Sequence, residues 1–280
     1  MAARKPKASA SKAVAKWDEE LAKQAEIAAG MEANTGGGQF FSTQGGVLSW
    51  QDAPLPDNEM AIVILDTIFE NVFYEGRYDP DVPQGPTCFA FARAEDELEP
   101  HIIAKDAGQA QSLETCAACE HNEWGSAETG RGKACRNTRR LAMIPAGQFN
   151  RNGDLELFDD PDHYAKTTIG FMKLPVTSVK GYASFVKQVA GALKRPPFGI
   201  VSRVSLVPDT KTQFKVVFEP LEKCSDKIMG SIMERVEEAK ATIDFPYQLE
   251  QEEEPAPRRS RAAKKPAAKK KAPARRSRKY

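Results

Sequence analysis

The chain has 280 residues, 41% of them hydrophobic, which is enough for a buried core and too much for a protein unfolded throughout. No apolar run reaches membrane-crossing length, and the opening MAARKPKASASKAVAK lacks the apolar centre of a secretory signal, so a soluble cytoplasmic protein without a membrane partner is expected. The formal charge of +1 conceals a segregation: residues 258–280 carry twelve Lys or Arg and no acid, leaving 28 basic against 39 acidic residues elsewhere, a net of −11.

In chain order, residues 1–38 are rich in alanine and lysine, hold one helix-compatible stretch over Trp17–Ala29, and end in the glycine joint NTGGGQ. They read as a flexible N-terminal arm. The body is expected over 39–247. Within it, EMAIVILDTIFENVFYEG (59–76) is dense in β-branched and aromatic residues and reads as a central strand and its continuation. CFAFAR (88–93) alternates aromatic and small residues like another strand, a polar cysteine-rich insert runs to Cys135, and RRLAMIPAG (139–147) returns to strand character.

A helix is expected where Val179, Tyr182, Val186, Val189 and Leu193 recur at steps of three and four, ended by Pro196. Strands 199–207 and 213–219 then form a hairpin, and a last helix starts near Ser225 with Ile228, Ile232 and Val236 stacked a turn apart. Beyond Phe245 an acidic run, EQEEEPAP, gives way to the basic tail; 248–280 buries too little apolar surface to fold. This order predicts an α+β fold: a small antiparallel β-barrel or sheet, OB-like in its favoured version, with two helices, a stapled insert and disordered termini.

The insert carries the chemistry. TCAACEHNEWGSAETGRGKAC (115–135) is not a Walker loop, which needs glycine where Ala127 stands and a hydroxyl where Ala134 stands. Nor does it offer a thioredoxin-like strand-to-helix context for Cys116-x-x-Cys119. In a reducing compartment, thiols stay available for metal. A C-x2-C turn brings two sulfurs to one ion at small conformational cost, and Cys135 follows at the distance of a third ligand. The fourth is Cys88 or His121; Cys88 is preferred because thiolates are the commoner choice and it closes a loop running from strand to strand. The expected cofactor is a structural Zn2+ on Cys88, Cys116, Cys119 and Cys135, with Cys224 left as a core or surface thiol.

Basic side chains crowd the same region: Arg131, Lys133, Arg136, Arg139 and Arg140 fall within ten residues, beside Trp124. Cations next to an indole can neutralise phosphates and stack a base. From Lys173 to Lys215 eight further basic residues, among them Lys187, Lys194, Arg195 and Arg203, meet a single acid, Asp209, and could line the other side of one groove. His101 and His163 read as solvated loop histidines, and Asp66 and Glu70 have no partner carboxylate. No catalytic constellation emerges, so the chain is expected not to be an enzyme.

The pattern of Cys88, Cys116, Cys119, Asn122, Trp124, Gly125, Ser126, Gly132, Lys133, Ala134 and Cys135, preceded by ILDxxxENxFYxGxYDP and followed by PVTSxxxYxxxVxxxA, resembles a family of proteins from tailed bacteriophages, of the single-stranded DNA-binding kind. The resemblance covers 36 to about 247. It implies Cys88 as the fourth ligand, single-stranded DNA as partner, and a role in phage replication or recombination with phage or host replication proteins. The basic C-terminus departs from the acidic one typical of such proteins. It leaves a second expectation: a structural or nucleoid-associated protein whose tail holds duplex DNA.

Overall fold

The computed structural model describes residues 40–76, 85–112, 114–128, 130–150 and 153–247; the N-terminal arm and the segment from 248 onward lie outside them. Three two-residue strands, β1 (Phe41–Ser42), β2 (Ser49–Trp50) and β3 (Ala53–Pro54), pair antiparallel into a small sheet. Then comes β4 (Glu59–Phe73), fifteen residues long and the axis of a second, seven-stranded sheet. The rest of the body adds β5 (Cys88–Ala92), the short helix α1 (Ile102–Asp106), β6 (Arg136–Phe149), β7 (Leu155–Leu157), α2 (Pro161–Lys166), β8 (Gly170–Leu174), α3 (Val176–Gln188), the hairpin β9 (Ile200–Asp209) and β10 (Gln213–Lys223), and α4 (Asp226–Thr242).

All pairings in the large sheet are antiparallel, in the order β10, β9, β4, β6, β7, with β5 also on β4 and β8 also on β6. The register between β4 and β6 shifts between Ile64 and Asp66, a bulge that lets so long a strand bend.

The apolar run of β4 has two destinations. Ile62 and Ile64, with Leu141, Met143, Met172 and Leu174, face Tyr182, Phe185 and Val189 from α3 and its extension, together with Phe41, Leu48 and Trp50 from the small sheet. Ala61, Val63, Leu65 and Ile68, with Ala142, Ile144 and Ala146, face Tyr164 of α2 and Ile228, Ile232, Val236 and Ala239 of α4. Gly170 permits the first of these layers, since a Cβ there would collide with the stacked rings of Phe41 and Trp50.

The α+β class and antiparallel sheet are as expected, but the sheet does not close into a barrel. A barrel needs one apolar face turned inward, whereas here helices cover both faces and both are apolar. Both expected helices are present. The first ends in a π-helical turn, Val189–Leu193, and a left-handed Lys194 at φ 54° ahead of Pro196. No helix among the described residues is long and apolar enough to cross a membrane.

Candidate metal centre and basic ledge

Four of the five cysteines meet at one place. Cys88 opens β5, Cys116 begins a 3-10 turn, Cys119 closes that turn, and Cys135 immediately precedes β6. All four are buried and line one cavity with Asn71, Phe73, Gln111 and Asn122. Its volume of about 20 Å3 suits one water-sized occupant or a single ion.

The thiols also act on one another. Burial raises the Cys88 thiol above its ordinary value, and a charge on Cys119 raises it further. Burial and then the charge of Cys88 push Cys116 up to about 11, while burial followed by Cys116, Cys119 and Cys88 pushes Cys135 up to about 12, with Lys133 pulling the other way. Sulfurs this close favour ionisation only when a cation joins them. Among the described residues, no group of three or more His, Cys, Asp or Glu side chains is placed so as to hold a metal ion as it stands. Four cysteines lining one cavity are nonetheless a donor set of the type and number that a soft divalent ion takes.

His121 does not line the cavity. Its ring stacks on Phe73 with centroids 4.2 Å apart, and its Nε2 lies 3.1 Å from Gln111 Oε1. Cys224 belongs to the core beneath α4, where burial pushes its thiol up to about 11.

The remaining residues of the insert build its loop. Asn122 Nδ2 donates to the Cys116 carbonyl at 2.8 Å, and Asn122 Oδ1 accepts from Lys133 Nζ at 3.1 Å. Ser126 Oγ donates to the His121 carbonyl and accepts from the Ala134 N–H, both at 2.9 Å. The Gly132 carbonyl accepts from the N–H groups of Gly125 and Ala127, with Gly125 at φ 93°, a conformation that favours glycine. Trp124 differs: its side chain is 81% exposed, with the Lys133 ammonium 5.9 Å from the ring.

The expected basic surface divides. Arg131 and Arg136 are exposed, Lys133 is half-buried under Trp124, and Lys187 and Lys194 are exposed. Arg140 is a correction: it is fully buried, its Nε 3.0 Å from Glu70 Oε2, and it is not on the surface at all. Arg203 is engaged by Glu59 and Glu219 at 3.6 and 3.7 Å, and its guanidinium sits 4.5 Å from the Phe149 ring. Arg139 is half-buried with its guanidinium 3.5 Å from the Phe69 ring, and Arg195 packs against Gly199.

Asp66 and Glu70, read as lacking a partner carboxylate, are ion-paired with arginines instead, Asp66 with Arg93 at 2.5 Å and Glu70 with Arg140 at 3.0 Å. The histidines are also not solvated loop residues. His101 caps α1 and stacks on Phe89, with burial pulling its imidazole below the ordinary value, and His163 sits in α2 with Nε2 2.9 Å from the Pro145 carbonyl.

Register supplies two residues that spacing could not. Val72 pairs with Arg136, which sets the Arg136 guanidinium 5.2 Å from the Tyr74 ring. Lys173, opposite Arg140 on β8, reaches the same ring at 5.4 Å and donates to the Tyr74 hydroxyl at 3.3 Å. Tyr74 between two cations forms a ledge beside the cysteine cavity, whose wall includes the neighbouring Phe73. Compared with known protein families, curated proteins and solved structures, the chain matches none.

Proposed function

We propose that the chain is a non-enzymatic single-stranded DNA-binding protein of phage replication or recombination, acting in the cytoplasm of the infected host alongside phage or host replication proteins. The observation that carries this reading is the outward Trp124, 81% exposed on a loop whose Asn122 and Ser126 side chains are hydrogen-bonded internally. An indole in solvent next to Lys133, with Arg131 and Arg136 close in sequence, is a stacking platform with phosphate neutralisers around it. Tyr74, flanked by Arg136 and Lys173, extends the same chemistry.

Cys88, Cys116, Cys119 and Cys135 hold a structural Zn2+ in this reading. Four thiolates leave no open position, so the ion fastens the insert to β5 and β6 and activates no water. The inward Arg140, the paired Arg203 and the acidic remainder of the chain favour a second reading, a structural or nucleoid-associated protein whose basic tail holds duplex DNA.

Trp124→Ala separates the two. On the first reading, the variant loses about 1–3 kcal/mol on single-stranded oligonucleotides, as for one lost stack, with zinc content, melting curve and duplex affinity unchanged. Wild-type affinity in a folded, zinc-loaded variant would remove Trp124 from the site and leave the second reading standing.

A further inference from the structure

Asn71 is 3% exposed, sits on β4 and forms part of the cysteine cavity wall. Its Nδ2 has no hydrogen-bond partner among the described residues, a condition that native interiors rarely tolerate without a reason. The strand register offers one rival partner: Asn71 lies opposite Asn137, whose Oδ1 is also buried and unpartnered. On the cavity side, Asn71 shares the wall with Cys116. A neutral thiol is a weak acceptor, while a metal-bound thiolate is a strong one.

We propose that Asn71 is a positioning residue for the metal, its Nδ2–H donating to the Cys116 sulfur once the four cysteines hold a soft divalent cation. The proposal rests on the metal reading above and deepens it. A divalent ion with four thiolates carries two excess negative charges in a dry site, and something must draw that charge off the sulfurs. Lys133 acts near Cys135, and the Asn71 amide is the donor built in near Cys116. Outer donors of this kind fix ligand orientation and tune metal affinity.

The first test uses the wild-type chain loaded with cadmium-113. Scalar coupling between the metal and the Asn71 side-chain amide protons, transmitted through N–H···S–Cd, is expected; its absence in the loaded protein overturns the proposal. The second uses Asn71→Leu, which keeps the branched shape and removes the donor. Its zinc affinity, measured by chelator competition, should fall about 10- to 100-fold. In the Co2+-substituted form, the sulfur-to-metal charge-transfer band should move to lower energy, because an unbonded thiolate gives up its electron more readily. Asn137→Leu removes the rival partner and should leave both readouts at wild-type values. Unchanged affinity and band in Asn71→Leu, or an equal loss in Asn137→Leu, overturns the proposal while the metal reading stands. A wild-type chain that binds none of these ions sinks both together.

Discussion

Arg139 and Arg140 are consecutive in a strand, and successive side chains of a strand point to opposite faces. That rule, legible in the sequence, forbids both from lining one surface whatever their shared charge suggests. What the sequence could not show is that Glu70 sits across the β4–β6 pairing to receive Arg140. The Arg140 guanidinium also donates to the carbonyls of Ile243 and Phe245 at 3.1 and 2.7 Å and lies 4.3 Å from the rings of Phe91 and Phe245. Tyr247 donates its hydroxyl to Glu70, and Lys173 approaches the same carboxylate at 3.7 Å. The pair therefore ties the segment after α4 to the sheet. Removing one partner strands the other charge in a dry interior, so Arg140→Met should lower the unfolding free energy from urea titration by about 3–5 kcal/mol. Replacing both, as Arg140→Met with Glu70→Leu, should recover part of that loss. Under conditions where Arg140→Met is folded, its affinity for single strands should match the wild type, since the guanidinium never reaches solvent. A variant as stable as the wild type would show that the pair contributes nothing.

At the scale of elements, what was legible in the sequence followed from local period. The 3.6-residue recurrence in 179–193 and 228–236 became α3 and α4, and the turn between two alternating runs became the β9–β10 hairpin. The strand β8 and helix α2 are five and six residues long, too short for a period to register, and β1–β3 have two residues each. The open sheet was hinted at by AIVIL in β4, a run apolar on both faces, where a barrel strand alternates. The insert is an element of another kind. Among the described residues, its own apolar cluster is Ala90, Leu98 and Cys116 with Phe69 and Ala92 against it, while the two large clusters lie over the sheet and do not include it. If the cysteines hold the proposed zinc, removing it should loosen the insert without unfolding the body. With a chelator, hydrogen exchange should accelerate in 114–128 and 130–135, with β4, β6 and β9 keeping their protection. Serine at Cys88, Cys116, Cys119 or Cys135 should lose the zinc; Cys224→Ser and His121→Ala should retain it. Retention in Cys88→Ser with loss in His121→Ala would transfer the fourth position to the histidine.

For the whole molecule, the governing fact is the division of charge between residues 258–280, with twelve cations and no acid, and a remainder of net −11. A polyanion approaching that remainder meets repulsion except where cations are exposed, and the inward Arg140 and paired Arg203 leave fewer of those than the sequence suggests. The two parts should therefore differ in how they bind. Tail cations act by releasing counterions, a contribution of about −0.7 per neutralised phosphate to the slope of log affinity against log salt on single strands, and about −0.9 on duplex. The proposed base stacking on Trp124 should depend far less on salt. Deleting 258–280 should accordingly reduce the magnitude of the slope by several units on both substrates, with the larger loss of affinity at low salt. As salt rises, full-length and truncated chains should converge on single strands, where the stacking contribution persists, while duplex binding by the truncated chain falls below detection. Combining the deletion with Trp124→Ala should then abolish the single-strand binding that remains. A slope unchanged by the deletion would place the phosphate contacts in the body, and loss of single-strand and duplex binding alike on deleting the tail would favour the nucleoid-associated reading.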